Sequence, residues 1–250
     1  MVCSPFNLIG KTILITGASS GIGRATAIEC AALGASKCYL VARSKENLEK
    51  TASLMVDSCE AIVCPCDLSD SKATENMVKE LPVLDGVVCN AGMNKMQLIQ
   101  FYNEADMKNI FNINCFSPMI LLKFLTKKKK LAKPSSVVFT ASISGHSNVS
   151  LANSLYGASK SALSSFMKYA ALELAPKGIR CNAVHPGRVE TPLIHTTTDD
   201  EAIKLDMAKY PLGRYADPKE IAWSIIYLLS DAAAWITGSN LVIDGGRSLI

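Results

Sequence analysis

A tyrosine and a lysine stand four positions apart in the segment Tyr156-Gly157-Ala158-Ser159-Lys160. The surrounding pattern predicts a helix over residues 153–174, and this spacing puts both side chains on one helix face. A phenol normally titrates near ~10, so it is a poor base at neutral pH. A neighbouring ammonium favours the tyrosinate and lowers the pKa of the phenol. The pair could therefore perform general acid/base chemistry near neutral pH.

A glycine-rich segment, Thr16-Gly17-Ala18-Ser19-Ser20-Gly21-Ile22-Gly23, lies between the first predicted strand and the first predicted helix. Gly17 permits a tight turn, Gly21 lets the backbone approach a pyrophosphate, and Gly23 lets helix and strand pack closely. The N-terminus of the helix offers free N–H groups and the positive end of its dipole to phosphates. Because it follows the first strand of an alternating pattern, this segment predicts a dinucleotide-binding loop.

Short apolar strands alternate with helical stretches along the whole chain. The predicted strands cover residues 11–16, 37–41, 61–64, 85–89, 136–140, 179–184 and 241–243. The predicted helices cover residues 21–33, 44–56, 71–80, 104–126, 153–174 and 218–229. This alternation predicts one α/β domain over residues 1–250, a Rossmann-type doubly wound parallel sheet of about seven strands with helices on both faces.

The loop spacing TGxxxGxG, followed downstream by Tyr156 and Lys160, resembles the short-chain dehydrogenase/reductase family, and the resemblance extends from Lys11 to Gly246. Within the family, the sequence is similar to NADP-preferring members of the 3-oxoacyl-[acyl-carrier-protein] reductase type. The resemblance implies an oxidoreductase, most simply a reductase, that transfers a hydride between a nicotinamide cofactor and a carbonyl or secondary alcohol. Tyr156 is then the general acid/base, and the positive charge of the oxidised nicotinamide helps to lower its pKa.

The choice of cofactor depends on the end of the second strand, Val41-Ala42-Arg43-Ser44-Lys45. A carboxylate there would bind the ribose 2′-hydroxyl of NAD, and none is present. The Arg43 guanidinium can make bidentate contacts with a phosphate, and Ser44 can add a hydroxyl and an N–H group. The sequence therefore predicts NADP(H) over NAD(H), with a solvated Arg43 as the alternative interpretation.

The same resemblance assigns catalytic roles to two further residues. Ser142 resembles the serine that holds the substrate oxygen beside Tyr156 and stabilises a developing alkoxide. Asn114 resembles the asparagine that positions a water for proton relay to the lysine. Ser144 and Asn112 are the competing choices for these roles. The predicted catalytic residues are Asn114, Ser142, Tyr156 and Lys160.

Further cofactor contacts are also implied by the resemblance. Asp67 is similar to the residue that meets the adenine ring, and Asn90-Ala91-Gly92 to a motif that steadies the central sheet, although Cys89 stands where another asparagine is usual. Lys160 is expected to reach the hydroxyls of the nicotinamide ribose. The predicted cofactor-binding residues are Gly17, Ser19, Ser20, Gly21, Ile22, Gly23, Arg43, Ser44, Asp67, Leu68, Asn90, Ala91, Gly92, Tyr156, Lys160, Pro186, Gly187, Val189 and Thr191.

Composition argues against several classes of function. The net charge of +4 is small and scattered, so no nucleic-acid partner is expected. The nine cysteines lie mostly in apolar segments without a second ligand pair, which predicts reduced thiols and no metal site. The N-terminus lacks a signal-peptide pattern, and the most apolar helix is too short to span a bilayer. A cytoplasmic protein without membrane attachment is therefore expected.

The substrate and the partners are less closely defined. Lysines at 127–130 and 133 form either a solvated helix end or a patch for an acidic partner such as an acyl carrier protein. Against a carrier, Leu172-Glu173 stands where a carrier-binding reductase would benefit from a basic residue. The polar segment at about 188–212, with His195, resembles a mobile lid over a small carbonyl or alcohol substrate. The resemblance also implies a homotetramer.

The sequence is also compatible with two alternative functions. An NAD-dependent alcohol, sugar or steroid dehydrogenase could use the same scaffold, because the lid sets specificity and lids vary freely. A non-catalytic nucleotide-sensing protein would keep the loop and lack the chemistry. The intact set of Asn114, Ser142, Tyr156 and Lys160 argues against that second alternative.

Overall fold

The computed structural model describes residues 4–191 and 200–250. One sheet of seven strands is covered by helices on both faces, which confirms the predicted single-domain Rossmann-type fold. The strands are β1 (Thr12–Thr16), β2 (Lys37–Ala42), β3 (Glu60–Pro65), β4 (Leu84–Cys89), β5 (Leu131–Thr140), β6 (Ile179–Pro186) and β7 (Asn240–Ile243). The α-helices of the described residues are α1 (Gly21–Ala32), α2 (Lys45–Ala52), α3 (Ser71–Glu80), α4 (Glu104–Phe111), α5 (Ser117–Lys127), α6 (Ser154–Leu174), α7 (Asp200–Met207) and α8 (Pro218–Leu229).

The order of the strands creates a crevice beside β1. The sheet runs β3-β2-β1-β4-β5-β6-β7, and every pairing is parallel. The chain moves outward from β1 to β3, returns to β4 on the other side of β1, and then moves outward again. The connections that follow β1 and β4 therefore lead to opposite faces, and the gap between them is where doubly wound sheets bind ligands.

Successive residues of one strand supply two separate cores. Val137 and Phe139 of β5 belong to the core under α3, α5 and α6, whereas Val138 belongs to the core under α1, α2 and α8. This alternation is the two-residue period of a β-strand. Both faces of the central strands are therefore covered, which explains why their buried residues are mainly apolar rather than alternating with polar ones.

The helix predicted over residues 104–126 is interrupted in the structure. A π-helical turn over Asn112–Phe116 separates α4 from α5. Pro118 has no N–H to donate to the carbonyl of Asn114 four residues earlier, so an unbroken α-helical ladder cannot form there. The Ser117 hydroxyl lies 2.7 Å from the carbonyl oxygen of Leu68 and ties the start of α5 to the segment after β3. The wide turn is a local feature at a candidate catalytic residue, as π-turns often are.

The polar segment after β6 contains a helix that the sequence pattern does not predict. Helix α7 lies within the proposed lid, and residues 192–199 of that lid, including His195, lie outside the described residues. Ile203 of α7 packs with Tyr210 and Tyr215 in a small core of its own. The two tyrosine rings meet edge to face, with their centroids 5.4 Å apart. This cluster ties α7 to the segment that follows it.

Within residues 4–191 and 200–250, no helix combines the length and the apolarity needed to cross a bilayer. The same residues include no group of His, Cys, Asp and Glu that could hold a metal ion. Eight cysteines of this part carry free thiols, and all but Cys64 are buried. Burial raises the pKa of the Cys181 thiol to about 12, so it packs as a small neutral side chain.

Candidate active site

Helix α6 presents Tyr156 and Lys160 toward the end of β5, as the four-residue spacing predicts. The Lys160 Nζ lies 5.8 Å from the centre of the Tyr156 ring. The same Nζ donates a hydrogen bond of 2.7 Å to the carbonyl oxygen of Thr140, the last residue of β5. The Lys160 side chain is only 3% exposed, and its burial lowers the pKa of the ammonium to about 8.

Ser142 lies two residues beyond β5 and lines the same cavity as Tyr156, where its hydroxyl favours the charged form of the phenol. The Ser142 Oγ accepts the backbone N–H of Ser144 at 3.1 Å, so its own proton is available for Tyr156. Burial raises the pKa of Tyr156, while the Ser142 hydrogen bond and the charge of Arg188 oppose that rise. The expectation that the lysine lowers this pKa is not met by the protein alone, because the buried surroundings of the phenol outweigh the groups that favour its charged form.

Asn114 is fully buried in the π-helical turn and connects three elements. Its Oδ1 accepts the N–H of Met93 at 2.8 Å, and its Nδ2 donates to the carbonyl of Met93 at 2.9 Å and to the hydroxyl of Ser159 at 3.0 Å. Ser159 in turn donates to the carbonyl of Tyr156 at 2.7 Å. The competing residue, Asn112, donates instead to the carbonyl of Ser69 at 3.3 Å. The structure therefore brings Asn114, and not Asn112, to the tyrosine–lysine pair.

The loop from β1 to α1 has the backbone shape that its glycines predict. Gly17 and Gly21 have φ values of +67° and +51°, the left-handed region that favours glycine. A Cβ on Gly23 would lie 2.2 Å from the carbonyl oxygen of Gly17, so only glycine allows α1 to pack this closely. The N-cap residue of α1, Ser20, makes no side-chain cap. Helices α2, α3, α4 and α8 all carry such a cap.

The N-terminus of α1 shows whether the residues of this loop suit a bound dinucleotide. Its first turn contains no acidic side chain, and Ser20 leaves the first N–H groups uncapped within the described structure. The loop is held in place from behind, because Arg24 donates to the Thr51 hydroxyl at 3.0 Å and to the carbonyl of Ser19. Thr51 donates to the carbonyl of Ala18 at 2.8 Å. This rigid, positively polarised concavity fits a pyrophosphate.

The segment after β4 is fastened to the end of β1. The Thr16 hydroxyl accepts the N–H groups of Asn90 and Ala91 at 2.9 and 3.0 Å, and it lies 3.2 Å from the carbonyl of Val88. The Asn90 Nδ2 donates to the carbonyl of Thr16 at 3.2 Å. These bonds close the floor of the crevice between β1 and β4, in agreement with the expectation that this motif steadies the central sheet.

The ends of β2 and β3 place Arg43 near Asp67. The Asp67 carboxylate accepts the hydroxyl and the N–H of Ser69 at 2.7 and 2.9 Å, and these bonds lower its pKa, with a smaller contribution from Arg43. The Ser44 hydroxyl accepts the N–H of Asn47 at 3.3 Å and caps α2. Arg43 itself is exposed, so its guanidinium is available at the rim of the crevice.

A cavity of about 340 Å³ opens above Ser142 and Tyr156. Three of its lining residues have buried polar atoms without a hydrogen-bond partner in the described structure: Asn94 Oδ1, Thr140 Oγ1 and Asn153 Oδ1. Buried polar atoms are normally satisfied, so these atoms mark a space built for polar ligand groups. The lining also includes Ile22, Pro186, Gly187, Val189 and Thr191, which are predicted to bind the cofactor.

The family of the chain follows from comparison with known proteins. A family model described as "Enoyl-(Acyl carrier protein) reductase" matches residues 17–248. A 3-oxoacyl-[acyl-carrier-protein] reductase of Rickettsia felis is 32% identical over 98% of this chain and 99% of its own length. The chain belongs to the short-chain dehydrogenase/reductase family.

Solved structures of other short-chain dehydrogenase/reductase proteins superpose closely on this one. The crystal structure of levodione reductase has a TM-score of 0.91 and 30% identity, and the match covers 97% of this chain and 99% of the other. RhlG of Pseudomonas aeruginosa, solved as an NADP active-site complex, has a TM-score of 0.91 and 29% identity over 98% of this chain and 100% of the other. Both fold and oxidoreductase class are therefore shared.

Two histidines lie close to this short-chain dehydrogenase/reductase site without lining its main cavity. His146 does not line the main cavity; its ring packs against that of His185, with centroids 4.3 Å apart. His185 is completely buried, and its Nδ1 donates to the carbonyl of Ser142 at 2.8 Å. His185 thus has a structural role and supports the segment that carries Ser142.

The lysine cluster at 127–130 and 133 lies at the amino-terminal end of β5, and Ser142 follows the carboxyl end of the same strand. The cluster and the cavity are therefore at opposite ends of the strands. Lys128 pairs with Glu75 at 3.0 Å, and Lys130 donates to the carbonyls of Lys79 and Leu81. These contacts give two of the lysines a structural role. The position of the cluster does not support a carrier-binding patch at the mouth of the site.

Sequence reasoning missed several residues that line the cavity. Arg188 stands next to predicted cofactor residues, so its place in the Pro186–Thr191 segment was a usable signal. Lys209 and Arg247 reach the cavity from the turn after α7 and from the segment after β7. Lys209 lies within the segment at about 188–212 that is expected to cover the substrate, whereas no motif or spacing indicates Arg247.

Proposed function

We propose that this chain is an NADP(H)-dependent oxidoreductase that acts mainly as a reductase on a small carbonyl compound. The observation that carries the proposal is that Ser142 and Tyr156 line one cavity, with the buried ammonium of Lys160 5.8 Å from the centre of the Tyr156 ring. The open N-terminus of α1 provides a place for the cofactor pyrophosphate on the same edge of the sheet.

The raised pKa of Tyr156 suits a proton donor. A phenol that stays protonated at neutral pH gives its proton to the substrate oxygen, and Ser142 donates a second hydrogen bond to that oxygen. When bound, the nicotinamide supplies the hydride to the substrate carbon. Lys160 keeps a positive charge under the phenol and favours the tyrosinate that remains after proton transfer. Asn114 fixes both the loop at Met93 and the start of α6 through Ser159.

The preference for NADP(H) over NAD(H) rests on the end of β2. Arg43 is exposed at the rim of the crevice, and Ser44 begins α2 beside it, so both can approach a 2′-phosphate. No carboxylate occupies the strand end. The NADP complex of RhlG, a relative at 29% identity, supports the same choice. Asp67 and Leu68 are proposed to face the adenine, and Thr191 and Val189 the nicotinamide amide.

The segment at about 188–212 is proposed to act as a lid, because Arg188, Asp206 and Tyr210 already line the cavity. A free small molecule is the preferred substrate. An acyl carrier is named for the Rickettsia felis relative, but neither the lysine cluster nor the exposed Leu172-Glu173 pair on α6 supports such a partner here. A cytoplasmic location is proposed from the buried free thiols, which are typical of a protein kept in a reducing compartment.

A homotetramer is proposed from exposed apolar side chains on the long helices. Tyr169 and Leu172 of α6 and Phe116 of the π-helical turn are largely exposed. Apolar patches of this kind commonly mark protein–protein contacts. Light scattering at micromolar concentration is expected to give about four times the mass of the 26.8 kDa chain, and a monomeric mass would contradict the proposal.

The test of the activity is the variant Tyr156→Phe. The variant is expected to lose NADPH-dependent ketone reduction by several orders of magnitude and to bind NADPH as tightly as the unaltered protein, measured by fluorescence titration. Tyr227→Phe is the matched control, because Tyr227 lies on α8 outside the cavity lining and the new phenyl ring keeps its stacking on Phe6. Full activity in Tyr156→Phe would refute the mechanism, and binding of NADPH without any reduction in the unaltered protein would favour a nucleotide sensor.

A further inference from the structure

Three cationic side chains line the cavity above Tyr156, and no role in proton transfer uses them. Arg188 comes from the segment after β6, Lys209 from the turn after α7, and Arg247 from the segment after β7. Three separate parts of the chain thus bring positive charge to one concave space. Lining cations of this kind raise the local concentration of anions, because the low-dielectric walls focus the field.

One carboxylate, that of Asp206, is among the described lining residues. It accepts the Tyr215 hydroxyl at 2.8 Å, which is its shortest contact in the described structure. Its distances to Arg188 Nε and Lys209 Nζ are 3.5 and 3.7 Å, longer than a good hydrogen bond. A single acid shared in this way does not balance three cations. Positive charge is therefore in excess among the described residues of the cavity.

One of the three cations, Arg188, lies within electrostatic reach of Tyr156. The charge of Arg188 acts on the Tyr156 hydroxyl, and that of Arg247 acts on Tyr210, whose hydroxyl accepts the backbone N–H of Arg188 at 3.0 Å. The Arg188 side chain is 32% exposed, so it is partly shielded from water and still open to a ligand. A small molecule that places its carbonyl at Ser142 and Tyr156 would extend toward this cationic cluster.

We propose that the substrate carries an anionic group, a carboxylate or a phosphate ester, which Arg188, Lys209 and Arg247 bind while its carbonyl meets Tyr156. This inference rests on the proposed function and names the substrate class. A guanidinium binds either anion through two parallel hydrogen bonds, and a lysine adds a compact point charge. Neutral sugars, neutral alcohols and steroids would bring no negative charge to the cationic cluster.

The test compares matched ketones that differ in charge. The pairs are 4-oxopentanoate with its methyl ester, and dihydroxyacetone phosphate with dihydroxyacetone, each assayed by NADPH oxidation. The anionic member is expected to have a kcat/KM about 10- to 100-fold higher, as for a hydrogen bond to a charged group. The pair with the larger ratio identifies carboxylate or phosphate as the preferred anion. Equal values within both pairs would overturn the inference and leave the reductase function standing.

Variants assign the effect to the cluster. Arg188→Gln and Lys209→Met are each expected to reduce the anionic-to-neutral ratio of kcat/KM about tenfold. Lys177→Met is the matched control, because Lys177 is exposed just before β6, at the opposite edge of the sheet, and its ratio should equal that of the unaltered protein. If Arg188→Gln and Lys209→Met left the anionic-to-neutral ratio of kcat/KM unchanged, as Lys177→Met is expected to do, the inference would be contradicted. Thermal melting of each variant identifies any that fail to fold.

A binding measurement separates the inference from the activity. Calorimetric titration of pentanoate, a carboxylate without a ketone, is expected to detect binding that pentanamide lacks and that Arg188→Gln weakens. This result would uphold the anion site even if no ketone were reduced, in which case only the proposed function fails. Equal binding of pentanoate and pentanamide would contradict the anion site.

Discussion

The Lys160 ammonium donates its 2.7 Å hydrogen bond to the backbone carbonyl of Thr140 rather than to another charged group. The ion is buried and has only a neutral acceptor, which is why burial lowers its pKa to about 8 from 10.5. Below about pH 8 the folded protein carries the full cost of this buried charge. As the pH rises through about 8 to 10.5, the folded form loses the proton before the unfolded chain does.

We therefore expect the stability of the unaltered protein to improve relative to Lys160→Met as the pH rises from 8 to 10.5. The improvement is at most about 3 kcal/mol, from the difference between the folded and unfolded pKa values. Urea unfolding of both proteins across this range measures it. The comparison cancels the titration of the many thiols, which both proteins share. A constant difference between the two proteins would show that Lys160 titrates normally.

Asn114→Ala tests the hydrogen bonds that connect the π-helical turn to Met93 and Ser159. The substitution removes three hydrogen bonds and leaves both backbone groups of Met93 without their side-chain partner, at a cost of about 2–4 kcal/mol in unfolding free energy. Asn112→Ala is the control, because that side chain makes one bond of 3.3 Å to Ser69. Its cost should be below about 1 kcal/mol. Equal losses in urea unfolding would show that the two asparagines are not distinguished as the geometry indicates.

The variant Arg43→Asp tests whether the Arg43 guanidinium binds the 2′-phosphate of NADPH. The substitution removes a guanidinium and introduces a carboxylate, which would repel the 2′-phosphate of NADPH. NADPH binding should therefore weaken by about 2–5 kcal/mol, while NADH binding changes much less. Fluorescence titration with both cofactors measures the two affinities side by side. Lys50→Asp, a charge reversal at an exposed position of α2, is the control for a general electrostatic effect. Equal losses for NADPH and NADH would assign Arg43 no part in the choice.

The uncapped start of α1 predicts an unusual response to substitution. Ser20→Ala should change the unfolding free energy by less than about 0.5 kcal/mol, because the side chain makes no capping hydrogen bond. Asp70→Ala should cost about 1 kcal/mol, because that carboxylate caps α3 by accepting the N–H groups of Lys72 and Ala73. Thermal or urea unfolding of the two variants without cofactor checks this difference. A similar cost at both positions would mean that Ser20 is a working cap.

The parts of the molecule that could be predicted from sequence are those with local causes. The alternation of apolar strands and helices predicts the sheet, and the glycine spacing predicts the left-handed turns at Gly17 and Gly21. The spacing of Tyr156 and Lys160 places them on one face, as found. In each case a residue's type determines its own backbone conformation, or its spacing from a residue nearby in the sequence determines their relative position.

The parts that could not be predicted depend on distant segments. The rise in the Tyr156 pKa comes from burial by surrounding elements, which spacing on one helix does not report. Lys209 and Arg247 approach the cavity only because α7 and the final segment fold over the ends of β6 and β7. Pro118 is a local signal for the interruption after α4, but the exact form of the turn depends on the anchors at Ser117 and Asn114.

The π-helical turn over Asn112–Phe116 makes this stretch sensitive to length as well as to composition. One residue added to or removed from a helix rotates everything beyond it by about 100°. A single deletion within the turn would rotate Asn114 away from Met93 or the apolar face of α5 away from the sheet. Insertions and deletions at this point should therefore be tolerated far less than point substitutions at the exposed positions on either side.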